Sequence, residues 1–247
     1  MKAVILAAGV GKRLGGVAEG RPKCLVQVGG QSLLSRHLEQ LANLGIRTVV
    51  LVVGYQQHLI REAVASSSFP GIVRFVANDQ YTRGSITSLW EARAEVNDDV
   101  IIMDADVLYH SEILRRLVES RFPNALLVDE SVSQETEECM VAIQDERVTS
   151  LSKTLPAQYD FTGEGVGFLK VAQADSDVLF QSVQEPIEAG HLDMEYEDAL
   201  KGFFEKVSVG YERIGGLPWI EIDFPEDVQR AEHDILPMLS CLGKEVV

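Results

Sequence analysis

The sequence has little of what cross-linked, membrane-bound or nucleic-acid-binding proteins need. Its three cysteines, Cys24, Cys139 and Cys241, are far apart and none belongs to a Cys-x-x-Cys pair. That spacing argues against a disulfide framework and a cysteine-based zinc site, and it fits a reducing cytoplasm. Apolar runs are short. Residues 3–8 fall below a signal-peptide core, and no stretch approaches the ~18 residues of a membrane-spanning helix, so a cytoplasmic chain without membrane insertion is expected. Basic residues are scarce, 22 Lys+Arg against 38 Asp+Glu for a net charge of −16, which disfavours binding to nucleic acid or anionic membranes. The five histidines, His37, His58, His110, His191 and His233, form no nucleophile–His–acid arrangement. Repeats, low-complexity tracts and linkers are also missing. At 247 residues the chain can bury one sizeable core, and residues 1–247 are expected to form a single domain.

The few bases present are unevenly placed. Residues 1–40 hold Lys2, Lys12, Arg13, Arg21, Lys23 and Arg36 against Glu19 and Glu39. A basic patch at one end of an acidic chain suggests a small anionic ligand. The surplus acids include a run at 129–146 with no Lys or Arg, for which a solvated surface is sufficient.

Hydropathy patterning predicts alternating strands and helices. Residues 3–8, 48–53, 72–77 and 100–103 read as strands, the first an unbroken apolar run of the kind buried on both faces of a parallel sheet. Helical spacing of Leu33, Leu34, Leu38, Leu41 and Leu44, stopped by Gly45, predicts a helix over 31–44. Further helices are predicted over 56–65 and 85–96. Residues 125–171 read as shorter strands, followed by helices near 173–184 and 193–206, a strand at 219–222 and a last helix from Pro225. The pattern is that of a doubly wound α/β protein with a mostly parallel mixed sheet.

After the first strand comes Leu6-Ala-Ala-Gly-Val-Gly-Lys-Arg-Leu14, then Arg21-Pro-Lys-Cys-Leu25. It is not a P-loop, because Leu6 stands where the first glycine belongs and Arg13 replaces Ser/Thr. Neither is it a dinucleotide fingerprint, since Gly9, Gly11 and Gly15 are wrongly spaced and Pro22 breaks the segment where a helix should run. Gly9 and Gly11 still allow close backbone approach to phosphate. Lys12, Arg13 and Lys23 add three cations, a match for the roughly four charges of a triphosphate. Two acidic pairs, Asp104-Ala-Asp106 and Glu221-Ile-Asp223, come directly after apolar runs and therefore fall at strand ends, where open α/β sheets bind ligands. In an extended segment the i and i+2 side chains point the same way, and a few carboxylates suit Mg²⁺. The competing reading makes these acids helix caps, as Asp223 lies just before Pro225 and Ser111 is a candidate cap.

The string L-A-A-G-x-G-x-R-L followed by P-K-x-L resembles the signature of the nucleoside-triphosphate transferase family. Asn78-Asp-Gln-Tyr81, Ser88-Leu89 and the two acidic pairs resemble its cytidylyltransferases for phosphocholine and related phosphate or phosphonate esters. The resemblance implies a three-layer, Rossmann-like nucleotidyltransferase (GT-A-like) fold and transfer of CMP from CTP to a small phosphate or phosphonate acceptor. It implies catalytic roles for Lys23, Arg13 and Lys12, and Mg²⁺ held by Asp106 and Asp223 with Glu221 as helper. It places the nucleotide against Leu6, Ala7, Ala8, Gly9, Gly11, Asn78, Ser85, Ser88 and Asp104, with helix capping the competing role for Ser85 and Ser88. Lys153 resembles a family lysine for the acceptor phosphate, while Glu195 and Asp198 are candidates for a cationic head group. Asp129, Glu197, Tyr81, Trp90 and Trp219 could share that last task. Ala7-Ala8 departs from the sugar-nucleotide pyrophosphorylase pattern and favours CTP. The alternatives are a sugar-1-phosphate or inositol-phosphate nucleotidyltransferase, a GT-A glycosyltransferase, and a non-catalytic regulatory homologue. Whether the chain forms a homodimer is open.

Overall fold

A computed structural model describes residues 1–18, 20–132 and 138–242. Part of the acidic run at 129–146 lies outside these described residues. The chain starts with β1 (Lys2–Ala7), two 3₁₀ turns (Lys12–Ala18 and Lys23–Leu25), the hairpin β2 (Gln27–Val28) and β3 (Gln31–Ser32), and α1 (Leu33–Asn43). Next come β4 (Thr48–Val53), α2 (Gln57–Ala65), β5 (Ile72–Ala77), α3 (Ser85–Glu91), β6 (Val100–Asp104), β7 (Val107–Tyr109) and α4 (Ser111–Glu119). The second half contributes β8 (Ala125–Asp129), β9 (Met140–Gln144), β10 (Arg147–Ser152), β11 (Phe161–Val171), α5 (Ser176–Glu188), α6 (Tyr196–Ala199) and α7 (Lys201–Lys206). It closes with β12 (Gly210–Arg213), β13 (Trp219–Glu221), α8 (Pro225–Arg230), a π-helical turn and α9 (Leu236–Leu242).

Among the described residues nine strands form one sheet, β10-β9-β11-β6-β1-β4-β5, with β8 pairing β11 and β12. The centre β6-β1-β4-β5 is parallel, and β11 joins β6 antiparallel. Period-2 alternation sends Ala3, Ile5, Val49, Leu51, Ile101 and Met103 to one core. It sends Val4, Val50, Val52 and Ile102 to the other. α1, α2 and α4 cover the first face and α3, α5, α6 and α7 the second, which gives the three-layer α/β architecture. β1 and β4 are continuous apolar runs because both their faces are covered.

Helix α1 shows how local signals set the boundaries. Ser32 accepts a hydrogen bond from the Ser35 amide at 3.2 Å, so the helix begins at Leu33, later than the apolar spacing suggested. Leu34, Leu38 and Leu41 are buried beneath it, each worth roughly 2 kcal/mol of burial. Residue 111 begins α4, but the cap is His110, whose ring nitrogen accepts from the Glu112 amide at 3.2 Å. Pattern alone did not reveal β7 or β12, which are three and four residues long.

His37, on α1, is fully buried, with Nδ1 3.3 Å from the Tyr109 hydroxyl and its ring against Phe168. Burial pulls its imidazole from 6.5 down to about 4. The unfolded chain therefore binds the extra proton between those two values. Stability is fully present above pH 6.5 and falls as pH drops toward 4, by about 2 kcal/mol between pH 7 and 5. The raised carboxyls of Asp104, Glu164 and Glu197 contribute with the opposite sign over this range, so urea unfolding at the two pH values should show the His37 loss as the difference between the wild type and His37→Phe, which keeps an aromatic ring. An unchanged pH dependence in His37→Phe would reject this assignment.

Candidate active site

Sheet register places the functional residues at one edge. Leu6 pairs with Asp104 and Ala7 with Val53, so the loop after β1 lies beside the ends of β6 and β4. Val53 in turn pairs with Ala77, which places Asn78 at the same edge. Along the loop Gly11 has φ +64, a conformation that favours glycine, and a Cβ there would lie 3.3 Å from the Lys23 Cβ. A Cβ at Gly9 would meet no protein atom within 4 Å, so the protein side leaves that position open. Leu14, in the turn that carries Lys12 and Arg13, is buried against Val28, Ile222 and Val228. Cys24 and Leu25 are buried too and anchor the turn that presents Lys23.

The two acidic pairs converge through an element that sequence patterning missed. β13 runs antiparallel to β7, with Glu221 opposite Val107, and the Ile222 amide donates to the Asp106 carbonyl at 3.0 Å. Asp106, Glu221 and Asp223 consequently offer carboxylate oxygens that all lie within 4.8 Å of one another. The Lys23 ammonium donates to Asp106 Oδ2 at 2.6 Å and to Asp223 Oδ1, with Glu221 4.0 Å away. Arg13 Nη2 lies 3.0 Å from Asp223 Oδ2. Burial alone draws the Lys23 ammonium down, but Asp106, Asp223 and Glu221 outweigh it and hold the group above the usual lysine range. The capping role considered for Asp223 falls to Asp227, whose carboxylate takes the amides of Asp223 and Phe224 at 3.0 and 2.8 Å.

These carboxylates fit a divalent cation. Their donors are hard oxygens, and Asp106 Oδ1 is buried without any hydrogen-bond partner. An acceptor oxygen left unsatisfied beside two further carboxylates is what a bound cation would complete.

Asp104 and Asp106 are separated by a turn and take different partners. Asp104 Oδ2 accepts from the Tyr196 hydroxyl at 3.1 Å. Burial, then the charges of Glu197, Asp106 and Glu221, raise its carboxyl well above the ordinary range. Asn78, 2% exposed, donates to Thr87 and Ser88 at 3.0 Å each and accepts from the Gln80 amide. It thus braces α3 against the end of β5. Ser85 is the first residue of α3, after the Gly84 cap, and its hydroxyl binds Glu195 while accepting from the Tyr196 amide at 2.8 Å. Glu195 is therefore joined to the start of α3. Asp198 accepts from Ser152 at 3.1 Å, which sets it next to the exposed Lys153. Ala7 and Ala8 are buried, Leu6 is partly exposed, and Lys12 faces solvent.

Sequence reasoning missed Tyr196 and Tyr55. The Tyr55 amide bonds the Ala8 carbonyl at 3.0 Å and its hydroxyl the Gly20 carbonyl at 3.2 Å. Position just after β4 was the signal available for Tyr55; no local pattern marks Tyr196. Acids beyond Asp106, Glu221 and Asp223 also gather. Glu197 is pushed up to about 8 by burial and by Glu195, Asp198 and Asp106, and its Oε2 has no partner. Glu164 is pushed up to about 7 by burial and by Glu138 and Asp129. Asp129 accepts from the Trp219 indole at 2.7 Å.

A glycine-containing basic loop facing strand-end carboxylates across a parallel sheet defines a protein class that handles nucleoside triphosphates. Within that class the chain belongs to the MobA-like NTP transferase domain family, whose model matches residues 3–163. It is 38% identical over 119 residues to CMP-5'-(3-aminopropyl)phosphonate synthase of Streptomyces rubellomurinus, covering 47% of this chain and 19% of that protein. It is 28% identical over 243 residues to choline-phosphate cytidylyltransferase of Streptococcus pneumoniae, covering 94% of this chain and 97% of that one. The chain spans about half the length, or less, of the other first relatives it matches. The backbone resembles an inositol-1-phosphate CTP transferase from T. maritima, with TM-score 0.79 and 21% identity over 100% of this chain and 97% of that one. The S. pneumoniae CTP:phosphocholine cytidylyltransferase gives TM-score 0.73 at 22% identity over 94% and 97%. Among the described residues no helix is long and apolar enough to cross a membrane.

Proposed function

We propose that the protein is a Mg²⁺-dependent cytidylyltransferase. It transfers CMP from CTP to a small phosphate or phosphonate acceptor of the phosphocholine or 2-aminoethylphosphonate type and releases pyrophosphate. The observation that carries this is the Lys23 ammonium set on Asp106 and Asp223 beside the basic loop with Arg13. An ionised acceptor oxygen attacks the α-phosphorus of CTP, forms a new P–O bond, and breaks the bond to the β-phosphate oxygen. That nucleophile is already charged near neutral pH, so the chain has to orient and neutralise rather than remove a proton. Lys23 would stabilise the α-phosphate oxygens, while Lys12 and Arg13 would hold the departing pyrophosphate. Mg²⁺ bound by Asp106 and Asp223, with Glu221 beside them, would supply charge neutralisation at the phosphates.

The acceptor half of the reading rests on charge. Asp104 and Glu197 interact with each other and with Asp106, with Glu197 Oε2 unpartnered, and Glu164 and Asp129 form a second acidic group. A cationic head group would favour the charged forms of Asp104 and Glu197 and pair with them, a gain that a neutral polyol does not supply. The cytidylyltransferases among the relatives, for choline phosphate and for an aminoalkylphosphonate, agree with this. The test is pyrophosphate release with four NTPs crossed against phosphocholine, 2-aminoethylphosphonate, inositol phosphate and glucose 1-phosphate. CTP with one of the two cationic acceptors is expected to exceed every other combination by at least about tenfold. Preference for a sugar or inositol phosphate would replace the acceptor assignment, and absence of turnover with CTP would remove the whole reading.

A further inference from the structure

Phe224 is one of the few large apolar side chains left exposed, at 41%. It comes directly after Asp223, and its ring lies under the Arg13 guanidinium, 5.2 Å from centroid to carbon. Its backbone is fixed, because Asp227 Oδ2 accepts the amides of both Asp223 and Phe224. Asp227 belongs to the first turn of α8, and Val228 from the same helix packs with Leu14, next to Arg13 in sequence. The C-terminal segment therefore grips the basic turn twice, through Leu14 and through Arg13. It also lies outside the stretch matched by the family model, residues 3–163.

The two groups that hold Arg13 differ in kind. Asp223 orients the guanidinium but cancels its charge, and it competes with phosphate for the same N–H groups. An aromatic face attracts a guanidinium without neutralising it and leaves its in-plane donors open. We propose that Phe224, fixed in place by Asp227, is a positioning residue that holds the Arg13 guanidinium aimed at the β- and γ-phosphates of the nucleotide. This rests on the nucleotidyltransferase reading above.

The test compares binding of CTP with binding of CMP, which lacks the two outer phosphates, by calorimetric titration without acceptor. Phe224→Ala is expected to weaken CTP about three- to tenfold, the range of a partly exposed cation–π contact, and to leave CMP within twofold. Phe224→Tyr, which keeps the aromatic face, should restore CTP affinity. In an Arg13→Ala background the Phe224→Ala change should lose its effect on CTP, and Asp227→Asn should reproduce a weaker form of it. Equal weakening of CTP and CMP, or an undiminished Phe224→Ala effect without Arg13, would overturn the proposal. Failure of the wild-type protein to bind CTP would instead strike the reading beneath it.

Discussion

Lys23→Ala is expected to lower turnover of CTP and acceptor by about 10²–10⁴-fold, with a smaller change in KM for CTP. Lys23 sits 2.6 Å from Asp106 and touches Asp223, and its pKa is held above the ordinary lysine value. It is therefore fully charged at any working pH and placed where the acidic cluster meets the basic loop. A fixed charge of this kind contributes most where negative charge builds up in the transition state. Lys23→Arg should recover only part of the rate, since a planar fork does not replace a compact ammonium. The fold should persist, because Cys24 and Leu25 anchor the turn independently of the ammonium. The carboxylates it leaves behind are 19% and 21% exposed, within reach of water and cations. Initial rates and the thermal midpoint of the same preparation check both halves. A folded Lys23→Ala protein with wild-type kcat would refute the mechanism.

Strands β1, β4 and β6 were legible because they are buried on both faces and their apolar runs end in glycine or acid, whereas β5, partly exposed, was read from its β-branched and aromatic residues. Lys23 and Arg13 stood out because motif spacing in the loop after β1 depends on local backbone demands. The meeting of Asp106 with Asp223 was expected from the family resemblance, not from any local pattern. It depends on β7 and β13, three residues each, pairing across more than 100 positions of sequence. A strand at 219–222 was read from the sequence, but β7 carries no periodicity of its own and long-range pairing leaves no local mark. Ser85 shows the other limit. Its place at a helix start was readable, but its engagement with Glu195, 110 residues away, was a matter of tertiary packing. Phe224 and Asp227 were hidden for the same reason, since an exposed phenylalanine acquires meaning only once Arg13 is seen above it.

Asp106→Asn should cost about 10³-fold in turnover and also abolish any rise of the thermal midpoint with added Mg²⁺. The reasoning turns on the two oxygens of one carboxylate. Oδ2 faces the Lys23 ammonium, and Oδ1 is buried without a partner. In the amide the carbonyl must stay on Lys23, because an NH₂ group there would face a cation. The NH₂ then takes the place of Oδ1, and the residue loses both its negative charge and one of the two acceptors a cation could use. Without added metal the variant should differ in stability by no more than about 1 kcal/mol, since the lost pairing with Lys23 is offset by relief of repulsion among the three acids. Lys23→Ala makes the opposite prediction for the same measurement. Removing the competing ammonium should strengthen the Mg²⁺-dependent midpoint shift, which grows as RT ln(1 + [Mg²⁺]/Kd), while turnover still falls. Two inactive variants moving in opposite directions on Mg²⁺ titration would separate cation binding from transition-state stabilisation. If both lost the shift, Lys23 would be organising the carboxylates rather than competing for them.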